Sequence, residues 1–151
     1  MLFRSMLIDG ASVGSDPALK TSRKNPFTGY VIGNAYHQLL NAAGMCSLYT
    51  VATTPPPVAE LIAGASGWDF DWKEAITVGR RILTLRQAFN AREGLTPDKF
   101  ELPKRITATS KTDYAALRAG YFNEMKWDVQ SGKPSCEVLS ELGLTGLAHD
   151  L

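Results

Sequence analysis

The stretch DWKEAITVGRRILTLRQAFNAREG, residues 71–94, decides the fold. Asp71 stands at a cap position with Glu74 three residues later. In this capping-box form each side chain can bind a backbone N–H that the first helical turn leaves over. Ile76, Gly79, Leu83 and Phe89, with Trp72 and Ile82 flanking, fall on one face at helical spacing. Gly94 is the expected stop. Arg80, Arg81, Arg86 and Arg92 ride the same segment, and Arg92 places a cation in the last turn, where the carbonyl end of the helix dipole favours it. The pattern predicts a helix to about Glu93 whose apolar face needs other helices to pack against.

Upstream, Val58, Leu61, Ile62 and Ala65 form one apolar stripe. Thr53-Thr54-Pro55-Pro56-Pro57 opens it: Thr54 can cap, and proline is tolerated at a first helical position because its missing N–H would be unpaired there. Gly64 and Gly67 end it. Earlier still, Tyr36, Leu39, Leu40 and Ala43 recur at three and four within residues 30–43, and Gly44 can stop that helix. The short apolar run Met45-Cys46-Ser47-Leu48-Tyr49 follows. Residues 1–29 are interrupted by Gly10, Gly14, Asp16, Pro17, Asn25, Pro26 and Gly29, which reads as turns and loops. Lys20, Arg23 and Lys24 sit together there as a solvated loop rather than a binding patch.

Downstream, Thr96-Pro97-Asp98 opens a short turn or helix closed by Pro103. Residues 111–127 look helical, with Tyr114, Leu117, Tyr121 and Met125 at helical spacing. A turn containing Gly132 follows, and Ser135 can cap a last short helix through Val138, Leu139 and Leu142, with Gly143 behind it. No long stretch alternates with period two. The expected fold class is mostly α, bundle-like, with five or six helices. The expected organisation is an irregular N-terminal segment, 1–29, and a helical domain, 30–151.

The chain has 151 residues, 44% hydrophobic and 21% charged, which suits one packed domain. A chain of this size buries roughly 68–70% of its unfolded surface, so no disulfide or metal staple is needed to fold. Sixteen Lys and Arg against fifteen Asp and Glu leave +1, a balance that argues against a nucleic-acid binder or a membrane-surface protein. No apolar run reaches the ~18 residues of a membrane span. Arg4 and Asp9 interrupt the apolar start, unlike a signal peptide. Two cysteines, Cys46 and Cys136, make no disulfide framework, and the expected setting is cytoplasmic. Charge is uneven: residues 80–105 carry seven basic and three acidic side chains, whereas 124–151 carry two and five. Either these regions face each other or the basic helix faces an anionic ligand.

Few residues offer chemistry by themselves. His37 and His149 are the only histidines, with no His or Cys near enough in sequence for a zinc site. His37 reads as an ordinary helical histidine, and His149 as part of a frayed end. No nucleophile elbow or phosphate-binding glycine loop is present, and no catalytic residue is assignable. Cys46 follows a helix stop. Taken alone it is either a small buried side chain or a ligand thiol. Cys136, in the first turn of a short helix, reads as passive.

The stretch Asn41-Ala-Ala-Gly44-Met45-Cys46 resembles the D-x-x-G-L-C motif near the C-terminal end of the aldehyde:ferredoxin oxidoreductases, a tungsten-pterin family. Further blocks follow in the family's order. The segment from Arg86 through Phe89, Asn90, Arg92 and Glu93 to Gly94 resembles R-x-x-F-N-x-R-E-G. Leu102-Pro103-Lys104-Arg105 resembles L-P-x-R. Trp127-Asp128, Gly132-Lys133-Pro134-Ser135 and Leu139 with Leu142-Gly143-Leu144 resemble W-D…G-x-P-[TS]…L-x-x-L-G-L. The agreement runs from about residue 36 to 144.

The resemblance implies a portion of the family's final helical domain. It implies oxidation of aldehydes to carboxylic acids at a tungsten held by two pterin dithiolenes, with electrons passed through a [4Fe–4S] cluster to ferredoxin. Carried over by residue, Cys46 is the metal ligand, binding cluster iron, and Asn41, Gly44 and Met45 line one pterin. An amide or carboxylate about a turn and a half before the cysteine can reach the hydrogen-bonding edge of a pterin, and glycine lets backbone approach it closely. Asn41 stands where the family usually has Asp and is uncharged, so it would hold pterin amino groups less strongly.

A [4Fe–4S] cluster takes four thiolates. The family's other three lie on an upstream C-x-x-C-x-x-x-C segment not found in these residues. The resemblance therefore implies a composite site, with the missing N-terminal portion or a partner subunit as partner. The isolated chain is expected to hold no cofactor and to be inactive. The chain then reads as a fragment, a split subunit or a decayed copy, with self-association through an exposed apolar patch expected. The alternative is a cofactor-free helical interaction module. A third reading is nucleic-acid binding through residues 80–105.

Overall fold

The computed structural model describes residues 26–46, 57–99, 103–107, 113–149 and 151. Lys20, Arg23, Lys24, Leu48, Tyr49 and Thr54, and most of segment 1–29, lie outside these residues. The α-helices are α1 (Pro26–Ala42), α2 (Val58–Ser66), α3 (Trp72–Arg92), α4 (Lys104–Thr107), α5 (Tyr114–Glu124) and α6 (Cys136–Glu141). Single 3-10 turns lie at Pro97–Lys99 and Thr145–His149. Among the described residues there is no strand, only an isolated antiparallel bridge between Trp127 and Pro134. The fold is mostly α, as the periodicity predicts. The chain forms two compact units, residues 1–83 and 84–151.

In the first unit, Tyr36, Leu39 and Leu40 of α1, Val58 and Ala59 of α2 and Ala75 of α3 form the core. Met45, Ile62, Phe70, Trp72, Ile76 and Val78 pack around it. The Tyr36 and Trp72 rings lie 5.2 Å apart and tilted, a geometry aromatic pairs favour. At Gly79 the approach is backbone to backbone. A Cβ on Gly79 would lie 2.1 Å from the carbonyl oxygen of Ala35, so only glycine fits.

The Asp71 cap forms, with the Glu74 N–H donating to Oδ1 at 2.7 Å. The Glu74 carboxylate lies 4.0 Å from Arg81. The outer boundaries differ from the sequence reading. α1 starts at Pro26, so Pro26 and Gly29 are helical rather than turn residues. Proline has no N–H to leave unpaired in a first turn. α2 starts at Val58 behind Pro57, which offers no side-chain cap. It runs through Gly64 to a left-handed Gly67, whose N–H donates to the Ala63 carbonyl at 2.8 Å.

The second unit is held by side chains that bind loop backbone. Gln87 Nε2 on α3 donates to the Gly132 carbonyl at 2.8 Å. Arg118 Nη1 on α5 donates to the Pro97 carbonyl at 2.6 Å. Met125, Trp127, Val138, Leu139 and Leu142 are buried. Tyr121 and Phe122 meet Trp127 edge-on at 5.7 and 5.5 Å. Between α5 and α6 the backbone doubles back. Asp128 N–H donates to Lys133 O, and Ser135 N–H donates to Lys126 O. The Ser131 hydroxyl and N–H, both 2.6 Å from Asp128 Oδ1, hold that carboxyl below the usual range. Lys126, a non-glycine residue at φ +58, donates to Glu137 at 2.7 Å and Glu141 at 2.5 Å, and these two raise its ammonium pKa. Asp113 caps α5 and Ser135 caps α6.

Several expected core positions face outward. Phe89 is 55% exposed, and Leu61, Leu117, Ala43 and Ala65 are also exposed. In α3 the buried positions are Ala75, Gly79, Leu83, Thr84 and Ala88. Phe89 lies about 100° around the helix from Ala88, so the turn that buries one exposes the other.

Candidate functional site

The four candidate residues, Asn41, Gly44, Met45 and Cys46, come together where α1 ends. The Gly44 N–H donates to Asn41 O at 3.1 Å and the Met45 N–H to Leu40 O at 3.0 Å. With Gly44 at φ +73 this is the Schellman arrangement, which satisfies carbonyls that the last helical turn leaves open. The residue after the glycine often packs against the helix's final apolar turn, and Met45 joins the core cluster that contains Leu40. Met45 is thus anchored inward. Asn41, Gly44 and Cys46 are exposed. Among the described residues, no atom beyond its chain neighbours stands within 4 Å of where a Gly44 side chain would begin, so on that side the backbone is open to approach.

The same closure recurs at two more glycines, and around left-handed Lys126 at the end of α5, where Lys126 N–H donates to Asn123 O and Trp127 N–H to Phe122 O. Gly94 N–H donates to Ala91 O and Leu95 N–H to Asn90 O. Gly143 N–H donates to Ser140 O and Leu144 N–H to Leu139 O. Gly94 and Gly143 are also left-handed. Each lies in one of the family-like blocks, so part of the motif spacing is the spacing of helix ends.

Cys46 and Cys136 are both exposed free thiols, one in each unit. Among the described residues no group of three or more His, Cys, Asp or Glu side chains could hold a metal ion. With two cysteines in the sequence the donor set fits a [4Fe–4S] cluster only in part: Cys46 offers an accessible thiol, and a complete cluster would need thiols from elsewhere. His37 is half-buried on α1, and exposed His149 ends the final 3-10 turn.

The arginines of α3 have separate roles. Arg92 pairs with Glu93 at 3.3 Å, and its guanidinium lies 5.0 Å over the Phe89 ring. The carbonyl at the helix end, Gly94 O, is bound by Lys99 Nζ at 2.7 Å, so a lysine beyond the helix caps it directly. Arg80 is half-buried and its Nε has no partner. Lys104 and Arg105 are exposed. Sequence reasoning missed Gln87, Arg118 and buried Thr84. Polar residues on a helix carry no local sign of a distant loop carbonyl.

No described helix is long and apolar enough to cross a membrane. The family model for aldehyde ferredoxin oxidoreductase, domains 2 & 3, matches residues 14–144. The match begins ahead of residue 36, where the recognisable motifs start. A tungsten-containing aldehyde ferredoxin oxidoreductase of Pyrococcus abyssi is 30% identical over 116 residues, covering 70% of this chain and 19% of that protein. One of Thermococcus kodakarensis is 37% identical over 69 residues, covering 45% of this chain and 11% of that protein. One of Pyrococcus furiosus is 29% identical over 116 residues, again 70% of this chain and 19% of that protein. This chain thus spans at most about a fifth of the length of these relatives. No solved structure matches it. Matched over most of its length and in the order of its motifs, the chain belongs to the aldehyde ferredoxin oxidoreductase family, in the part that corresponds to domains 2 and 3.

Proposed function

We propose that this chain supplies the C-terminal helical part of a composite aldehyde:ferredoxin oxidoreductase site. Residues 30–151 carry most of that part, whose first helix begins upstream at Pro26. The observation that carries the reading is the end of α1, where one turn presents an exposed thiol at Cys46 beside an open backbone at Gly44 and an exposed amide at Asn41. When bound, the tungsten-pterin group and the [4Fe–4S] cluster supply oxidation of the aldehyde to a carboxylic acid and onward electron transfer.

The chain's own residues bind and orient. Cys46, as thiolate, gives one sulfur to iron. Asn41 presents a donor and an acceptor to the edge of a heterocycle. Gly44 keeps a Cβ out of the approach, and Met45, packed into the core, fixes where its neighbour Cys46 points. The remaining cluster ligands come from the portion of the family protein that these residues do not span. Ferredoxin is the electron acceptor, and the setting is the cytoplasm. Alone, the chain is inactive.

The test is co-expression of the full chain with the upstream portion of the Pyrococcus abyssi relative. Brown cluster absorbance and bound iron are expected in the purified complex and are lost with Cys46→Ser. Colour that survives the substitution overturns the assignment. The thiol count favours one second reading, a cofactor-free helical interaction module, because the 151 residues hold only two cysteines. That reading holds if elemental analysis of the co-expressed protein finds neither iron nor tungsten.

A further inference from the structure

Four residue positions along the second unit's share of α3 point to a docking surface. Leu85, Ala88, Phe89 and Arg92 succeed one another along the helix at three and four, and with Leu147 and Leu151 they line a shallow cleft of about 140 Å³. Ala88 forms a buried floor, whereas Leu85 is 47% and Phe89 55% exposed. Large apolar side chains on successive turns of one helix face, left in water beside a concave surface, offer an apolar segment a place to dock. The rim cation is already satisfied, because Arg92 pairs with Glu93 and lies over the Phe89 ring. The groove therefore selects for apolar surface rather than for an anion.

The occupant follows from length. The chain spans 19% of the relatives it matches over 116 residues, so most of such a protein is chain that these residues do not contain. We infer that the cleft beside Leu85 and Phe89 seats an apolar segment from that remaining portion of an aldehyde ferredoxin oxidoreductase chain. This rests on the composite-site reading above and assigns a second point of attachment, in a different unit from Cys46.

The test uses the co-expressed pair, with the full chain tagged. The upstream portion is expected to co-purify with the wild type. Phe89→Ser and Leu85→Ser should each reduce the recovered partner about tenfold, the scale on which central apolar anchors act. Because both side chains are exposed, the thermal transition of the chain alone should be unchanged. Trp68→Ser, which removes a comparably exposed ring from the first unit, serves as control and should leave recovery unchanged.

Equal recovery of wild type and Phe89→Ser, with the cluster formed in both, overturns the groove and leaves the Cys46 assignment standing. Recovery that depends on Phe89, with colour indifferent to Cys46→Ser, does the reverse. No recovery with the wild type overturns the groove. So does a homodimer of the chain alone that Phe89→Ser dissociates, because the occupant is then a second copy.

Discussion

The two units are held together in different ways. In the first, α1 and α3 meet where a missing side chain at Gly79 lets backbone touch backbone, and the core around Tyr36, Leu40 and Val58 is apolar. In the second, the fixed points are long polar side chains reaching loop carbonyls: Gln87 to Gly132, and Arg118 to Pro97. Helix-on-helix contact is set by shape and tolerates no added volume. Loop pinning is set by hydrogen bonds, each of which has modest net worth and costs more when one partner is left buried and unpaired. The candidate thiol lies on the first unit and the candidate groove on the second, so damage to one kind of architecture should spare the other function.

Gly79→Ala would separate the two mechanisms most sharply. Its new Cβ meets the backbone of Ala35, which cannot swing aside as a side chain can. A destabilisation of about 3 kcal/mol or more is expected by denaturant titration. A loss below about 1 kcal/mol would show that the helices slide apart cheaply and that the first unit is not shape-limited.

Gln87→Ala should cost less, about 1–3 kcal/mol, because it strands the Gly132 carbonyl in a part-buried site. The loss should appear in amide exchange of residues 128–135 before it appears elsewhere. Uniform exchange across both units would erase the distinction drawn above.

The narrowest effect is confined to alkaline solution and to the first unit, and is absent at neutral pH. Burial, and then the nearby Glu60 carboxylate, push the Tyr36 phenol up to about 12. The folded chain therefore keeps a proton that the unfolded chain releases near 10. Stability from this source is complete below pH 10 and is lost as pH rises towards 12, with a limiting slope of about 1.4 kcal/mol per pH unit. Tyr36→Phe should flatten that part of the stability profile. An unchanged profile would mean that the phenol reaches water.

Much of this was legible in the chain itself. Asp71, Ser135, Gly44, Gly94 and Gly143 mark helix ends because capping is local chemistry, complete within a few residues. The family blocks could be read for a related reason, since their glycines fall where helices close. Phe89 shows the limit. Spacing places it near an apolar face, but the buried line of α3 runs through Ala75, Gly79, Leu83 and Ala88, and small residues send a weak hydrophobic signal. Lys99 shows another, because its bond to Gly94 O depends on the intervening 3-10 turn, which fixes its reach.

The order of amino acids by itself determined that the chain is helical, where most of its helices stop, and which family it belongs to. All three follow from periodicity, caps and motifs that act over one or two turns. Only the tertiary structure decided that Cys46 faces water while its neighbour Met45 is packed inward, that Gly79 is an interhelical contact rather than a flexible point, and that Leu85 and Phe89 line an open cleft. Burial depends on what arrives from distant parts of the chain, and no local pattern records which neighbour that will be.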